Sequence, residues 1–123
     1  ARVVLHGGKL TEAIRRLRDV AAEFERCGMI TNAALVGLDV SDALLALERP
    51  GEIVDLAQHL FSVFTKAGML TGALTALAYL KEAAATNRLT KHDVAAIRTF
   101  LRRAERQPSL QFVPPPRPPE DSV

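Results

Sequence analysis

One cysteine, Cys27, stands in a chain of 123 residues. That excludes a disulfide framework and a multi-cysteine metal site, and a reducing compartment is the simplest setting. Tryptophan is absent and aromatics make up only 5%. The apolar content is carried by Ala, Leu and Val, which suits closely packed helices better than a β-sandwich. Sustained period-two alternation is missing, so strands are not expected. No apolar run approaches the ~18–20 residues that cross a bilayer, and no signal-peptide pattern opens the sequence. The expectation is a cytoplasmic protein with no membrane partner.

The residues for catalysis are equally sparse. His6, His59 and His92 have no metal-ligand spacing, and no glycine-rich loop is placed to cradle phosphates. Cys27 and His59 form the one combination that suggests nucleophilic chemistry, yet nothing in the sequence brings them together. Cys27 also falls beside a helix C-terminus, where the dipole disfavours a thiolate. It reads as a partly buried structural cysteine. No cofactor and no catalytic residue is expected, and the chain reads as a non-enzyme.

What is present is a repeat. Phe24-Glu25-Arg26-Cys27-Gly28-Met29, followed by Ala33 and Leu35, recurs 40 residues later as Phe64-Thr65-Lys66-Ala67-Gly68-Met69, followed by Ala73 and Leu74. Periods of roughly 20–50 residues belong to stacked arrays, in which a unit buries its apolar face only against its neighbours. Between the corners, Leu10, Ala13, Ile14, Leu17, Val20, Ala21 and Phe24 lie on one stripe of a helix that opens at Gly8-Lys9 and that Gly28 caps. A helix over about 31–48 is apolar on nearly every side, and Pro50-Gly51 stops it. A third covers about 52–67, with Gly68 as its cap. A fourth covers about 71–86, and a fifth about 91–106, opened by Thr90 and Asp93 as a capping box. Residues 1–6 look like the end of an earlier helix. With no initiator Met, the sequence reads as the C-terminal piece of a longer protein. Residues 1–112 form the helical domain, and 113–123 a proline-rich disordered tail.

Gly8-Lys9-Leu10-Thr11-Glu12-Ala13 resembles the opening of the second helix of a tetratricopeptide repeat. Pro50-Gly51-Glu52-Ile53-Val54-Asp55-Leu56-Ala57 is a looser copy. The spacing is nearer 40 residues than the family's ~34, and Leu, Val and Ala replace its Trp and Tyr positions. The resemblance implies an all-α, right-handed solenoid of antiparallel helix pairs, here about five helices plus an N-terminal remnant. It also implies a protein–protein interaction scaffold. A weaker likeness, to the C-terminal helical arrays of multidomain bacterial regulators, implies an oligomerisation or regulatory module instead.

The resemblance further implies that the first helix of each pair lines a concave groove. Asn32, Asp39, Asp42 and Arg49, with Ala46, share one polar line on the second helix; Thr71, Thr75 and Glu82 make a similar line on the fourth. These residues read either as a groove for a protein or peptide partner or as the solvated strip of a packed helix. Residues 28–82 carry a net charge of −3 between basic flanks, so a Lys- or Arg-bearing partner is expected if the groove binds. Asp39 and Asp42 have no basic residue between them, and their charge reversal is expected to spare the fold. Arg98, Arg102 and Arg106 form a basic stripe on the last helix, either phosphate-contacting or a solvated capping face. Without interleaved aromatics, nucleic acid contact is not expected. Pro114 to Pro119 holds overlapping P-x-x-P arrangements, a polyproline ligand or a spacer. The uncovered N-terminal end, Val3, Val4 and the outer side of Leu10–Leu17, is expected to self-associate or fray.

Overall fold

In a computed structural model of the chain, the backbone is described for residues 2–68, 71–107 and 109–114, and side chains for 8–68, 72–107 and 109–114. Five helices follow one another: α1 (Arg2–Arg26), α2 (Ile30–Ala46), α3 (Pro50–Lys66), α4 (Thr71–Ala85) and α5 (Lys91–Arg106). No strand occurs among the described residues. The chain is all-α, as its composition and periodicity indicate.

One corner is used at the end of each of the first four helices. Two residues past the last helical residue, the backbone enters the left-handed region, at Gly28 (φ 78°), Glu48 (57°), Gly68 (71°) and Asn87 (60°). Gly28 N–H donates to Glu25 O (3.0 Å) and Met29 N–H to Phe24 O (2.8 Å). The same pair of bonds runs from Glu48 and Arg49 to Leu45 and Leu44, and from Asn87 and Arg88 to Ala84 and Ala83. These reversed bonds satisfy carbonyls that the end of a helix leaves without partners. At Gly68 the first bond, to Thr65 O at 3.1 Å, is present, and the second would come from Met69, outside the described residues. Gly28 and Gly68 therefore serve as the left-handed caps expected of them. Glu48 and Asn87 do the same without glycine, at a steric cost of ~1–2 kcal/mol for an L-residue, less for Asn.

Two boundaries differ from expectation. Residues 2–26 are one helix, so the N-terminal remnant and the first helix are a single element running through Gly7 and Gly8. Glycine inside a helix costs only ~1 kcal/mol relative to alanine, which a helix of this length absorbs. Pro50 does not stop α2, which has already turned at Glu48. It occupies the first turn of α3, where its missing N–H removes no helical bond. The start of α5 is as expected: Thr90 accepts from Asp93 N–H, and Asp93 Oδ2 accepts from Thr90 N–H at 3.0 Å.

α2 sits at the centre. It packs against α1, α3 and α5, while α4 packs against α3 and α5. Ala33, Ala34, Leu38 and Leu44 are fully buried. Gly37 lets α3 approach closely, since a Cβ there would lie 3.0 Å from Leu60 Cδ1. The buried Ser41 hydroxyl donates to Gly37 O at 3.1 Å, so no polar group is left unsatisfied there. Ile53, Ala57, Leu60 and Phe64 from α3, Ala76, Leu77 and Leu80 from α4, and Val94, Ile97, Phe100 and Leu101 from α5 join α2 in one core, with Phe112 beyond α5 packed against them. Among the described residues, the backbone of α1 closely approaches α2 alone. Its stripe is therefore only partly covered: Ile14 is buried, Leu17 and Phe24 are half-buried, and Val20 is 44% exposed. The side chains of Val3 and Val4 lie outside the described residues. In a linear stack each pair touches only the next; here α5 instead returns to α2, so α2, α3, α4 and α5 close into a ring.

The corners make a two-way prediction. Gly28→Val should lower stability in urea unfolding by about 1–2 kcal/mol, whereas Glu48→Gly should raise it by about 0.5–1 kcal/mol through relief of the left-handed strain. A Gly28→Val chain as stable as the parent would contradict the corner.

Candidate functional site

Where the sequence reading expects one polar strip, the structure places its members in three settings. Asp39 and Asp42 face α5, and Arg98 reaches between them. Its Nη2 donates to Asp39 Oδ1 at 2.6 Å and to Asp42 Oδ2 at 3.1 Å. The Arg98 side chain is only 22% exposed, against 52% for Asp39. One of the two negative charges is thus offset from within, by a residue the sequence assigned to a basic stripe. That stripe is not simply solvated: Arg98 clamps α5 to α2, Arg102 borders a shallow hollow with Asn32, Phe24 and Leu35, and Arg106 is exposed. Asn32 stays near Asp39 in that hollow. Arg49 sits at the α2–α3 corner and pairs with Glu52 at 3.4 Å. Thr75 and Glu82 are exposed on α4, and α4 makes no close backbone approach to α2 among the described residues. α5 thus stands beside the Asp39–Asp42 side of α2, with hollows between them that Asn32, Asp39 and Asp42 line.

A second surface has no counterpart in the sequence reading. α1 and α3 both lean on α2 with no close backbone approach to each other among the described residues, and the space between them, crossed by two side-chain pairs, is a cleft of about 460 Å³. Ala33, Gly37 and Val40 of α2 form its floor, with Ala21 and Ala22 on the α1 wall and Leu56 and Leu60 on the α3 wall. Charged groups stand at the rims. Arg18 on α1 pairs with Glu52 on α3 at 3.5 Å. His59 on α3 places Nε2 3.0 Å from Glu25 Oε2 on α1, and Asp55 also borders the cleft. The signal for this cleft was the run of small residues on facing turns, which spacing alone cannot distinguish from core.

Cys27 is exposed rather than partly buried. Its Sγ lies 3.9 Å from Glu23 Oε2, a carboxylate that a hydrogen bond and the charge of Arg26 hold below its ordinary range. His59 engages Glu25, not Cys27. His92 is exposed, and the His6 side chain lies outside the described residues. No group of three or more metal-ligating side chains occurs among the described residues. No described helix is long and apolar enough to cross a membrane. The P-x-x-P arrangements lie, beyond Pro114, outside the described residues. Comparison of the chain with protein-family models, with curated proteins and with solved structures finds no match.

The clamp reverses one expectation. Asp39→Lys/Asp42→Lys puts two cations against the half-buried Arg98, and should lower stability by about 1–2 kcal/mol. Arg98→Glu in the same chain should recover part of that loss. Equal urea midpoints for the parent and the double variant would show that the clamp contributes nothing in solution.

Proposed function

We propose that this chain is a non-catalytic protein-interaction module that takes a helical segment of a partner in the cleft between α1 and α3. The observation that carries the reading is the form of that cleft, an apolar floor of small residues between two charged rims. Small floor residues let a visiting helix approach closely, and its apolar face supplies the affinity. Glu25, Glu52 and Asp55 outnumber Arg18 at the rims, so Lys and Arg on the flanks of the segment fit best. Rim charges of this kind select and steer a partner more than they hold it.

The repeat belongs to the same proposal. The shared corners at Gly28 and Gly68, and the close pairing of α1 with α2 and α3 with α4, support a degenerate tetratricopeptide-like array of helix pairs, the kind of scaffold that binds proteins. Return of α5 to α2 is its main departure. The second reading, an oligomerisation or regulatory module, is favoured by one observation. α1 is covered on one side only, and Val20 on it and Met29 at the corner that follows are 44% and 46% exposed, which a second copy would cover.

Selection of helical peptides from a displayed library against the chain tests the first reading. Ala22→Trp fills the cleft from an exposed position without touching the core. Selected peptides should carry basic flanks and lose at least about tenfold in affinity on this variant, ~1.4 kcal/mol. Binding that ignores Ala22→Trp would sink the cleft. Sedimentation of Val20→Glu/Met29→Glu beside the parent checks the second reading, which expects a parental dimer to dissociate.

A further inference from the structure

Past α5 the chain does not leave the surface. Ser109 turns, Leu110 N–H donates to Gln107 O at 2.9 Å, and residues 110–112 run back as an extended strap against α4 and α5. Alternate residues point inward: Leu110 is half-buried, Gln111 exposed and Phe112 buried, while Val113 is 78% exposed. The Phe112 ring is held between Tyr79 of α4 (centroids 5.5 Å, tilted) and Phe100 of α5 (5.4 Å, edge-on). Tyr79 is fixed in turn by its hydroxyl, which donates to Asp93 Oδ1 at 3.0 Å. Gly72 makes room for the strap backbone and for the Phe100 ring, since a Cβ there would stand 2.5 Å from Leu110 O and 2.9 Å from Phe100 Cζ.

No backbone ladder ties this strap to either helix among the described residues. Two side chains and a glycine-cleared approach hold it, which is how a short peptide is held in a groove. We infer that the α4–α5 face is a binding site for an extended segment with Leu and Phe two residues apart, and that residues 110–112 occupy it as a displaceable ligand in cis. A partner presenting the same apolar-x-aromatic pattern binds by exchange with the strap. This site uses other helices than the α1–α3 cleft and does not rest on it. Tethering sets the size of the competition. A short linker gives an effective concentration on the order of 1 mM, so a segment of ~0.1 mM intrinsic affinity is closed about ten to one in cis.

The probe is a fluorescein-labelled peptide of the sequence Ser-Leu-Gln-Phe-Val-Pro, residues 109–114, titrated by anisotropy against full-length chains. The Leu110→Ala/Phe112→Ala chain, whose own strap lacks both anchors, should bind it about tenfold more tightly than the parent. Adding Gly72→Ala to that variant should abolish binding, because the new methyl meets both the peptide backbone, at the place of Leu110 O, and the Phe100 ring on which the peptide's Phe rests; an unchanged urea midpoint checks that α4 and α5 still pack. A peptide with Ala in place of Phe should not bind. The inference is overturned by equal affinity for the parent and the strap variant, by absence of binding to the strap variant, or by binding that survives Gly72→Ala. Loss of helical circular dichroism in the strap variant overturns it too, since the strap would then be part of the fold rather than a ligand upon it.

Discussion

The arrangement of this chain follows from α2 having almost no side that water can face. Ala33, Ala34, Leu38, Val40 and Leu44 are at most 1% exposed and share one broad face of the helix, while Leu35, Val36 and Ala43 on the remaining side are half-buried and only Asp39 and Ala46 are exposed. Burying a Leu or Val side chain is worth ~1.5–3 kcal/mol, so a helix of this kind forms only where neighbours enclose it. Three do. α1 and α3 take two flanks, and α5 takes the third, although it is two helices further along the chain. The third flank is the polar one, and there apolar burial alone does not fix the approach. Arg98 does so by meeting both aspartates at once, which pins the rotation of α5 as well as its distance. Closure of the ring and covering of α2 are one event.

Helix length is governed separately, by the corners. The left-handed residues fall at 28, 48, 68 and 87, so α2, α3 and α4 span 17, 17 and 15 residues and have nearly equal lengths. Equal lengths let their apolar rows meet end to end. Two of these corners are legible in the sequence, because glycine at Gly28 and Gly68 is the residue that adopts positive φ without a Cβ clash. Glu48 announces nothing; its conformation is imposed by the paired carbonyl bonds and by Pro50 opening the next helix. Asn87 is the intermediate case, a residue tolerant of the left-handed region but also common in ordinary turns. Boundaries at Pro50 and Gly8 misled for a related reason. Proline and glycine punctuate a chain, and their identity alone does not say whether they end one helix, begin the next or sit within one.

The surfaces were legible to a lesser degree. Register alone puts Asn32, Asp39 and Asp42 on one line of α2, and that line exists. What it faces depends on a residue 59 positions from Asp39, and no local pattern carries that information. The basic stripe on α5 was likewise visible as a stripe and invisible as a clamp. The cleft between α1 and α3 arises because Gly37 draws Leu60 against α2 while α1 and α3 meet only through the Arg18–Glu52 and Glu25–His59 pairs. It is a property of three helices rather than of one. The strap was missed for want of length. Leu110 and Phe112 offer two apolar positions before a proline-rich end, too few to register as periodicity.

The 40-residue repeat also connects the clamp with the strap. Moving α2 onto α4 by that shift brings Asn32 to Gly72, Asp39 to Tyr79 and Asp42 to Glu82. On α2 this face is covered by a helix, α5, through an arginine that needs two carboxylates. On α4 the same face meets an extended segment, through an aromatic ring that needs Tyr79 and a backbone that needs the space above Gly72. The substitutions are therefore matched to their covers: acids under a guanidinium, an aromatic and a glycine under a strap. A helix clamped by Arg98 brings its own apolar row and belongs to the core. A strap anchored by two side chains contributes far less burial, so its face is the one of the two that exchange can open.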